Sequence, residues 1–226
     1  MAVYESKPPD ARHAVVVFHE GFGMTEHIKQ VADRFSAVGY HTVVPDLYHR
    51  LGSGSVFPYG ETVRDVRLVS EDVRDAMSTL TDEYMLDDLD AILDHFGWSA
   101  TAGVGFCLGG RTAFLAALRR ELAASVTFYG QLVTSRVPHW PSLAPEAPDL
   151  ATPWLGLFGD QDHAIPVEDV EVIRSALRSA RSPHEIVRYP HARHGFFCDQ
   201  RSGYNPADAE DAWERTVAWL ATHLDR

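Results

Sequence analysis

The chain has 226 residues, of which 45% are hydrophobic, and its formal net charge is −12. This length and apolar content suffice for one continuous core, so we expect a single domain spanning residues 1–226. Nucleic acids and anionic membranes are bound through basic surfaces, so the acidic balance argues against both as partners.

The lack of a signal-peptide pattern and the small number of cysteines both favour a cytoplasmic protein. The first ten residues, MAVYESKPPD, lack the basic start and apolar run of a signal peptide. No stretch approaches the ~20 apolar residues that span a bilayer. Cys107 and Cys198 lack CxxC spacing and are too few for a disulfide framework, which is typical of a reducing compartment. A free thiol is therefore available for chemistry.

Apolar runs alternate along the chain with amphipathic stretches. The runs predict buried strands and the stretches predict helices. The predicted strands are residues 13–19, 40–44, 101–106, 125–129, 154–158 and 185–189, and the predicted helices are residues 28–38, 86–96, 112–118, 167–179 and 207–224. The Pro- and Gly-rich segments 51–60 and 138–153 are expected to be surface loops. This alternation predicts an α/β fold, with a mostly parallel sheet and helices on both faces.

Residues that directly follow the predicted strands are the first candidates for a functional site. In parallel sheets ligands bind at the carboxyl ends of the strands. In this sequence that rule selects four chemically active side chains, Glu20, Cys107, Asp162 and His194.

The pentapeptide GFCLG at 105–109 follows a predicted strand and precedes a predicted helix. This is the context of the G-x-S-x-G nucleophile elbow, here with Cys107 in place of serine. The glycines allow the strand and helix to approach closely, and the helix N-terminus favours a thiolate. The alternative is a tight turn in which Cys107 only packs as a small hydrophobe.

The loops after two later strands supply an acid and a histidine in the order that α/β-hydrolases use. The histidine would transfer the proton and the carboxylate would orient it. In the first loop Asp160 competes with Asp162, and in the second His191 competes with His194. The two histidines could also be read as an HxxH metal site, but no cysteine or carboxylate accompanies them at ligand spacing, so no metal is expected.

Glu20 lies directly after the first predicted buried strand, in the segment HEGFG at 19–23. A carboxylate at the carboxyl end of a strand could take part in catalysis. Taken alone, an isolated glutamate is more often a capping or surface residue.

Five segments, in chain order, carry a resemblance to a known family. They are HEGFG at 19–23, GYHTVVPDLYHR at 39–50, GVGFCLGGRTAFLAA at 103–117, GDQDHAIP at 159–166 and HGFFCDQRSGY at 194–204. Together they resemble the dienelactone hydrolases, also called carboxymethylenebutenolidases, from about residue 13 to 224. The resemblance implies an α/β-hydrolase fold and cleavage of a small-molecule ester or lactone through a thioester, without a cofactor.

The resemblance also implies roles for individual residues. Cys107, Asp162 and His194 would form the catalytic triad. Glu20 would take the family's fourth role, in which the glutamate contacts the resting cysteine and helps to form the thiolate when an anionic substrate rearranges the site.

By the same resemblance, two backbone N–H groups would form the oxyanion hole. One belongs to Leu108, which follows the nucleophile, and the other to Gly21, which follows Glu20. Each donor of this kind is worth roughly a hundredfold in rate.

The chain departs from the family at the arginines that hold the substrate carboxylate. The arginine expected four residues after the histidine is replaced by Cys198. Arg201 is near enough in sequence to substitute for it, or is a surface arginine. The candidates for the second arginine are Arg64, Arg67 and Arg74.

Two other functions fit the same residues less well. One is a non-catalytic protein that binds a small molecule or regulates a partner through this pocket. The other is a thiol redox protein in which Cys107 reacts first and Cys198 is the resolving cysteine.

Overall fold

The computed structural model describes residues 1–52, 54–59, 63–98, 100–135 and 137–224, with the side chains of 63–70 excepted. The strands in this part of the chain are β1 (Val3–Ser6), β2 (Ala14–Phe18), β3 (His41–Pro45), β4 (Thr101–Phe106), β5 (Ala124–Phe128), β6 (Trp154–Gly159) and β7 (His184–Tyr189). The α-helices are α1 (Glu26–Ala37), α2 (Val63–Ser78), α3 (Asp82–Phe96), α4 (Leu108–Arg119), α5 (Val167–Ala176) and α6 (Pro206–Leu224).

These strands form one sheet in the order β1-β3-β2-β4-β5-β6-β7. Every pair is parallel except β1 with β3. Strands β2 to β6 are buried along their whole length, which explains why a strand such as β2, with the sequence AVVVF, is a continuous apolar run rather than an alternating one. The predicted α/β architecture with a mostly parallel sheet is confirmed.

The side chains of β5 show that helices cover both faces of this sheet. The hydroxyls of Ser125 and Thr127 donate to backbone carbonyls of α4, which therefore lies on one face. Phe128 points to the opposite face and packs against Phe197, whose ring also contacts Arg34 of α1. Within the described residues, no helix combines the length and apolar content needed to cross a membrane.

The sequence did not predict one of the strands and one of the α-helices. Strand β1 has only four residues, alternates between exposed and half-buried positions, and lies at the sheet edge, so its apolar signal is weak. Helix α2 follows directly after the predicted loop 51–60, in a segment to which no element was assigned.

Some predicted boundaries also moved. The helix predicted at 112–118 begins at Leu108, directly after the nucleophile candidate. The helix predicted at 167–179 ends as an α-helix at Ala176 and continues as one 3₁₀ turn, Leu177–Ser179. The predicted loop 138–153 contains a 3₁₀ helix, Ala144–Asp149, because its prolines permit this tighter turn.

Candidate active site

Cys107 lies at the turn between β4 and α4, at the carboxyl edge of the sheet. Its φ of 55° and ψ of −110° give it a backbone conformation that non-glycine residues rarely adopt. Its N–H donates to the carbonyl of Phe128 at 3.0 Å, and its carbonyl accepts from Arg111 at 3.2 Å. These bonds hold the strained backbone in place and present the thiol at the first turn of α4.

The flanking glycines are sterically required at this turn. A Cβ added at Gly105 would overlap the carbonyl group of Gly109. A Cβ added at Gly109 would overlap the carbonyl group of Phe18 on the neighbouring strand β2. The backbones therefore approach as closely as the sequence pattern indicated.

His194 connects the thiol with a buried carboxylate. Its Nε2 lies 3.1 Å from Cys107 Sγ, and its Nδ1 lies 2.7 Å from Asp162 Oδ2. The other oxygen of Asp162 accepts from the backbone N–H groups of Ala164 at 2.7 Å and Ile165 at 3.2 Å. The carboxylate is thus fixed from both sides and orients the imidazole toward the thiol.

The structure separates the competing residues in these loops. Asp160 forms a bidentate ion pair with Arg188, with contacts of 2.7 and 2.9 Å. His191 is exposed to solvent, whereas His194 is half-buried between its two partners. The geometry therefore joins Asp162 and His194 to Cys107.

The electrostatics of the cysteine and histidine favour an ion pair. Burial raises the pKa of the Cys107 thiol, but the adjacent His194 charge and hydrogen bond outweigh burial, and the pKa lies below its ordinary value. Burial lowers the pKa of His194, but the Cys107 thiolate and the hydrogen bond that Nδ1–H donates to Asp162 outweigh it and raise the pKa to about 10. In this geometry the thiolate and the imidazolium stabilise each other.

Glu20 is completely buried and is held by three side chains. The guanidinium of Arg201 and the hydroxyl of Tyr129 donate to its Oε1 at 3.4 and 3.5 Å, and the hydroxyl of Tyr59 donates to its Oε2 at 3.2 Å. Among the described residues, no hydrogen bond joins Glu20 to Cys107. Its negative charge nevertheless raises the pKa of that thiol, which places Glu20 within electrostatic reach.

The backbone around Gly21 is fixed by two aromatic side chains. The Nδ1–H of His19 donates to the carbonyl of Glu20 at 2.7 Å, while its Nε2 accepts from the N–H of Leu47 at 3.0 Å. The hydroxyl of Tyr48 donates to the carbonyl of Gly21 at 2.8 Å. These contacts define the path of the main chain beside the elbow.

Two N–H groups near the thiol have no acceptor within the described part of the protein. Leu108 is the first residue of α4, so its N–H has no intrahelical acceptor. Gly21 lines the same cavity as Cys107, and no backbone acceptor is found for its N–H among the described residues. They are the two groups that the family resemblance assigns to the oxyanion hole.

A cavity of about 220 Å³ opens above the thiol. Its lining combines the reactive groups with apolar and cationic side chains: Gly21, Phe22, Val73, Arg74, Met77, Cys107, Gln131, Val137, Ala164, His194 and Arg201. A Cβ on Gly21 would meet Val73 and Met77, so α2 packs directly against the backbone at the cavity wall.

The candidate arginines differ in position. Arg201 lines the cavity, stacks over the ring of Phe22 at 5.1 Å and pairs with Glu20. Arg74 also lines the cavity, from an exposed position on α2. Arg64 and Arg67 belong to the same helix, but their side chains lie outside the described part.

Cys198 is poorly suited to act as a resolving thiol. It is completely buried, and burial together with the charge of Glu20 raises its pKa to about 11. A thiol of high pKa forms little thiolate and reacts slowly. This environment disfavours the redox alternative.

Three tyrosines that support the site were not among the predicted site residues. Tyr48 bonds the backbone at Gly21, and Tyr59 and Tyr129 bond Glu20. Tyr129 is the last residue of the predicted strand 125–129 and directly follows the observed β5, so the rule about strand ends could have selected it. Tyr48 and Tyr59 lie in loops, where no spacing pattern marks a hydroxyl as functional.

Comparison with known proteins finds consistent similarity. The profile of the Dienelactone hydrolase family matches residues 1–224. Proteins provisionally named carboxymethylenebutenolidase are similar over most of the chain. The one from Yersinia pestis is 36% identical and covers 92% of this chain and 78% of its own length. The one from Escherichia coli K12 is 35% identical and covers 97% of this chain and 82% of its own length.

A solved structure is similar in both sequence and fold. It is the crystal structure of a provisionally assigned dienelactone hydrolase from Klebsiella pneumoniae subsp. pneumoniae MGH 78578. The two are 35% identical, with a TM-score of 0.79 and coverage of 97% of this chain and 92% of that one. The sheet and helices described above therefore form the α/β-hydrolase fold expected from the sequence.

Proposed function

Because the chain belongs to the dienelactone hydrolase family and is a hydrolase of that type, we propose that it cleaves a small ester or lactone with Cys107 as nucleophile. The observation that carries this proposal is the hydrogen-bonded series from Asp162 through His194 to Cys107, at the floor of the cavity. A non-catalytic binding protein would not need a thiolate and an imidazolium held in this geometry.

In the first half of the reaction, the Cys107 thiolate attacks the carbonyl carbon of the bound ester. The carbonyl oxygen becomes an oxyanion and accepts hydrogen bonds from the N–H groups of Leu108 and Gly21. When the carbon–oxygen bond breaks, the leaving alkoxide takes the Nε2 proton of His194. The products of this half are an alcohol and a thioester on Cys107; a lactone keeps both groups in one molecule.

In the second half, the now neutral His194 takes a proton from a water molecule. The resulting hydroxide attacks the thioester carbonyl, and the same two N–H groups hold the oxyanion. Collapse of this intermediate expels the Cys107 thiolate and releases the carboxylic acid. The imidazolium and the thiolate are then restored together, and Asp162 stabilises the imidazolium throughout.

Glu20 and Arg201 would set the ionisation of the thiol. The buried carboxylate opposes a second negative charge nearby, whereas the guanidinium of Arg201 offsets that charge. A substrate carboxylate that drew Arg201 away from Glu20 would leave the glutamate poorly compensated. Such a substrate would therefore couple its own binding to a rearrangement around Cys107.

The cavity limits the substrate class. Its volume of about 220 Å³ suits a small acyl compound. Arg74 and Arg201 supply positive charge at its wall, in a chain whose net charge is −12. We therefore expect a small lactone or activated ester that carries a carboxylate to be preferred over a neutral analogue of the same size.

The deciding experiment is rapid mixing of the protein with a chromogenic acetate ester. We expect a burst of product close to one equivalent of protein, followed by slower turnover. Mass spectrometry of the quenched reaction should find the acetyl group on the peptide that contains Cys107. Cys107→Ala serves as the control and should show neither burst nor acetylation. A wild-type protein without burst, adduct or turnover on esters and lactones would contradict the proposal.

A further inference from the structure

A second group of reactive side chains lies outside the proposed active site. His27 on α1 and the consecutive residues Cys198 and Asp199 each present one ligand atom, and these atoms lie within 4.8 Å of one another. His27 is 5% exposed, Cys198 is completely buried, and the side chain of Asp199 is 57% exposed. The catalytic mechanism uses none of the three.

The protein itself satisfies the imidazole of His27 only in part. Its Nδ1–H donates to Asp199 Oδ1 at 3.2 Å. Its Nε2 is buried, and no hydrogen-bond partner for it is found among the described residues. A buried polar atom without a partner costs free energy, so such a histidine calls for an explanation.

This combination of side chains is suited to binding a metal ion. A thiol, an imidazole and a carboxylate are the ligand types that Zn²⁺ prefers. At the tetrahedral angle of Zn²⁺ sites, bonds of about 2.0 Å to nitrogen and about 2.3 Å to sulfur place two ligand atoms of one ion about 3.5 Å apart. The three ligand atoms, which lie within 4.8 Å of one another, therefore need to approach by at most about 1.3 Å.

The surroundings leave room for a fourth ligand. A cavity of about 80 Å³ is lined by His27 and Asp199, and it can hold a water molecule. Arg34 lines the same cavity with a positive charge, and the carboxylates of Asp199 and Glu210 oppose it. The site is thus reached from solvent on the side of Asp199, and His27 forms part of the cavity wall, whereas Cys198 is completely buried beside the cavity and does not line it.

We propose that His27, Cys198 and Asp199 form a binding site for a thiophilic divalent cation such as Zn²⁺. Binding would displace the thiol proton of Cys198 to solvent and leave the thiolate as a ligand. This site is separate from the catalytic pair, although the two are connected. Cys198 donates to the hydroxyl of Tyr59 at 3.5 Å, and Tyr59 donates to Glu20.

The test must exclude binding of Zn²⁺ to the catalytic cysteine and histidine. All titrations are therefore made in the Cys107→Ala protein, where Cys198 is the remaining thiol. Isothermal titration with Zn²⁺ should give one ion per chain. Titration with Co²⁺ should produce a thiolate-to-cobalt charge-transfer band, and bound Zn²⁺ should protect Cys198 from alkylation in mild denaturant.

Further variants assign the ligands. In the same background, Cys198→Ser should abolish the cobalt band, and His27→Gln and Asp199→Asn should each weaken Zn²⁺ binding by about tenfold or more. His191→Gln is the matched control, because this exposed histidine lies outside the cluster. The affinity of this variant for Zn²⁺ should be unchanged. Asp199→Asn changes an exposed residue and should keep the fold even where the buried substitutions do not.

Two results would overturn this site. The first is the absence of both Zn²⁺ binding and the cobalt band in the Cys107→Ala protein. The second is binding that persists at the same affinity in a folded Asp199→Asn or Cys198→Ser variant. Neither result bears on ester hydrolysis, which is measured with Cys107 intact.

Discussion

Cys107 and His194 are 87 positions apart in the sequence, yet Sγ of the first lies 3.1 Å from Nε2 of the second. The contact arises because β4 and β7 end at the same edge of the parallel sheet. It matters chemically because a proton can move directly between the two atoms. The thiolate and the imidazolium stabilise each other in this geometry.

Replacing the nucleophile should abolish hydrolysis and leave the fold intact. We expect Cys107→Ala to lower kcat by roughly ten-thousandfold or more, because the thioester can no longer form. The thermal unfolding midpoint should change little, since the thiol is small and lies at a turn. Cys107→Ser should be much weaker than wild type but measurable, because the oxyanion donors remain. Near wild-type turnover by Cys107→Ala would remove this residue as the nucleophile.

The two histidines provide a matched comparison. We expect His194→Ala to lower kcat by roughly a thousandfold or more, because it removes both the proton carrier and the partner of the thiolate. His191→Ala should keep near wild-type turnover, since this side chain is exposed and outside the hydrogen-bonded series. Steady-state kinetics on one chromogenic ester measures the turnover of both variants. Equal losses would refute the assignment of His194.

The two aspartates provide a second pair. Asp162→Asn should lower kcat strongly with little effect on KM, because an amide cannot hold the imidazole in the required tautomer. Asp160→Asn breaks an ion pair with Arg188 that is partly exposed, so it should cost only about 0.2–1 kcal/mol of unfolding free energy. Chemical denaturation and kinetics on both variants separate the two roles. Comparable kinetic losses would show that Asp162 was wrongly chosen.

The sequence predicted most of the fold because the strands are buried on both faces. The apolar run that contains Ala14–Phe18, for example, follows from burial alone. The elbow was also predictable, because close backbone contacts at Gly105 and Gly109 exclude any side chain. Both features leave a pattern within a few consecutive residues, an apolar run in the first case and a glycine spacing in the second.

What remained unpredicted depends on contacts between distant residues. Tyr59 and Tyr129 approach Glu20 only after the chain has folded; Tyr129 lies at the end of a strand, but no local pattern marks Tyr59. The same holds for His27 and Cys198, which are 171 positions apart. The four-residue strand β1 was not predicted for another reason. It is an edge strand whose apolar face is half-exposed, so its sequence carries a weak apolar signal.

The ion pair predicts a particular pH dependence. The lowered pKa of Cys107 should let iodoacetamide alkylate the protein at pH values below the ordinary thiol pKa of about 8.5. Turnover should rise with pH as Cys107 ionises and fall again near pH 10, where His194 loses the proton that the leaving group needs. In His194→Ala the alkylation midpoint should move upward, because burial then dominates. An unshifted midpoint would show that the histidine does not stabilise the thiolate.

The arginines at the cavity wall should distinguish anionic from neutral substrates. We expect Arg201→Gln to raise KM for a carboxylate-bearing ester by about tenfold and to affect a neutral ester less, because it removes positive charge from the cavity. Arg201→Lys should recover part of the loss. Arg74→Gln tests the second, more exposed position in the same assay. Equal effects on charged and neutral esters would assign Arg201 solely to holding Glu20.

Glu20 should control the ionisation of Cys107. Its buried negative charge raises the pKa of the thiol, so Glu20→Gln should lower the pH at which iodoacetamide alkylates Cys107. Removing the carboxylate also frees the charge of Arg201, which acts in the same direction. Oxidation of Cys107 by peroxide should become faster, since it follows the thiolate fraction.

Turnover by Glu20→Gln should fall even though the thiolate forms more readily. The family resemblance implies that the glutamate helps to generate the thiolate when a substrate rearranges the site, and glutamine cannot accept that proton. Glu210→Gln is a suitable control, because it removes a carboxylate of the same type from a different cavity. An unchanged alkylation profile together with unchanged turnover in Glu20→Gln would reduce Glu20 to a structural partner of Arg201, Tyr59 and Tyr129.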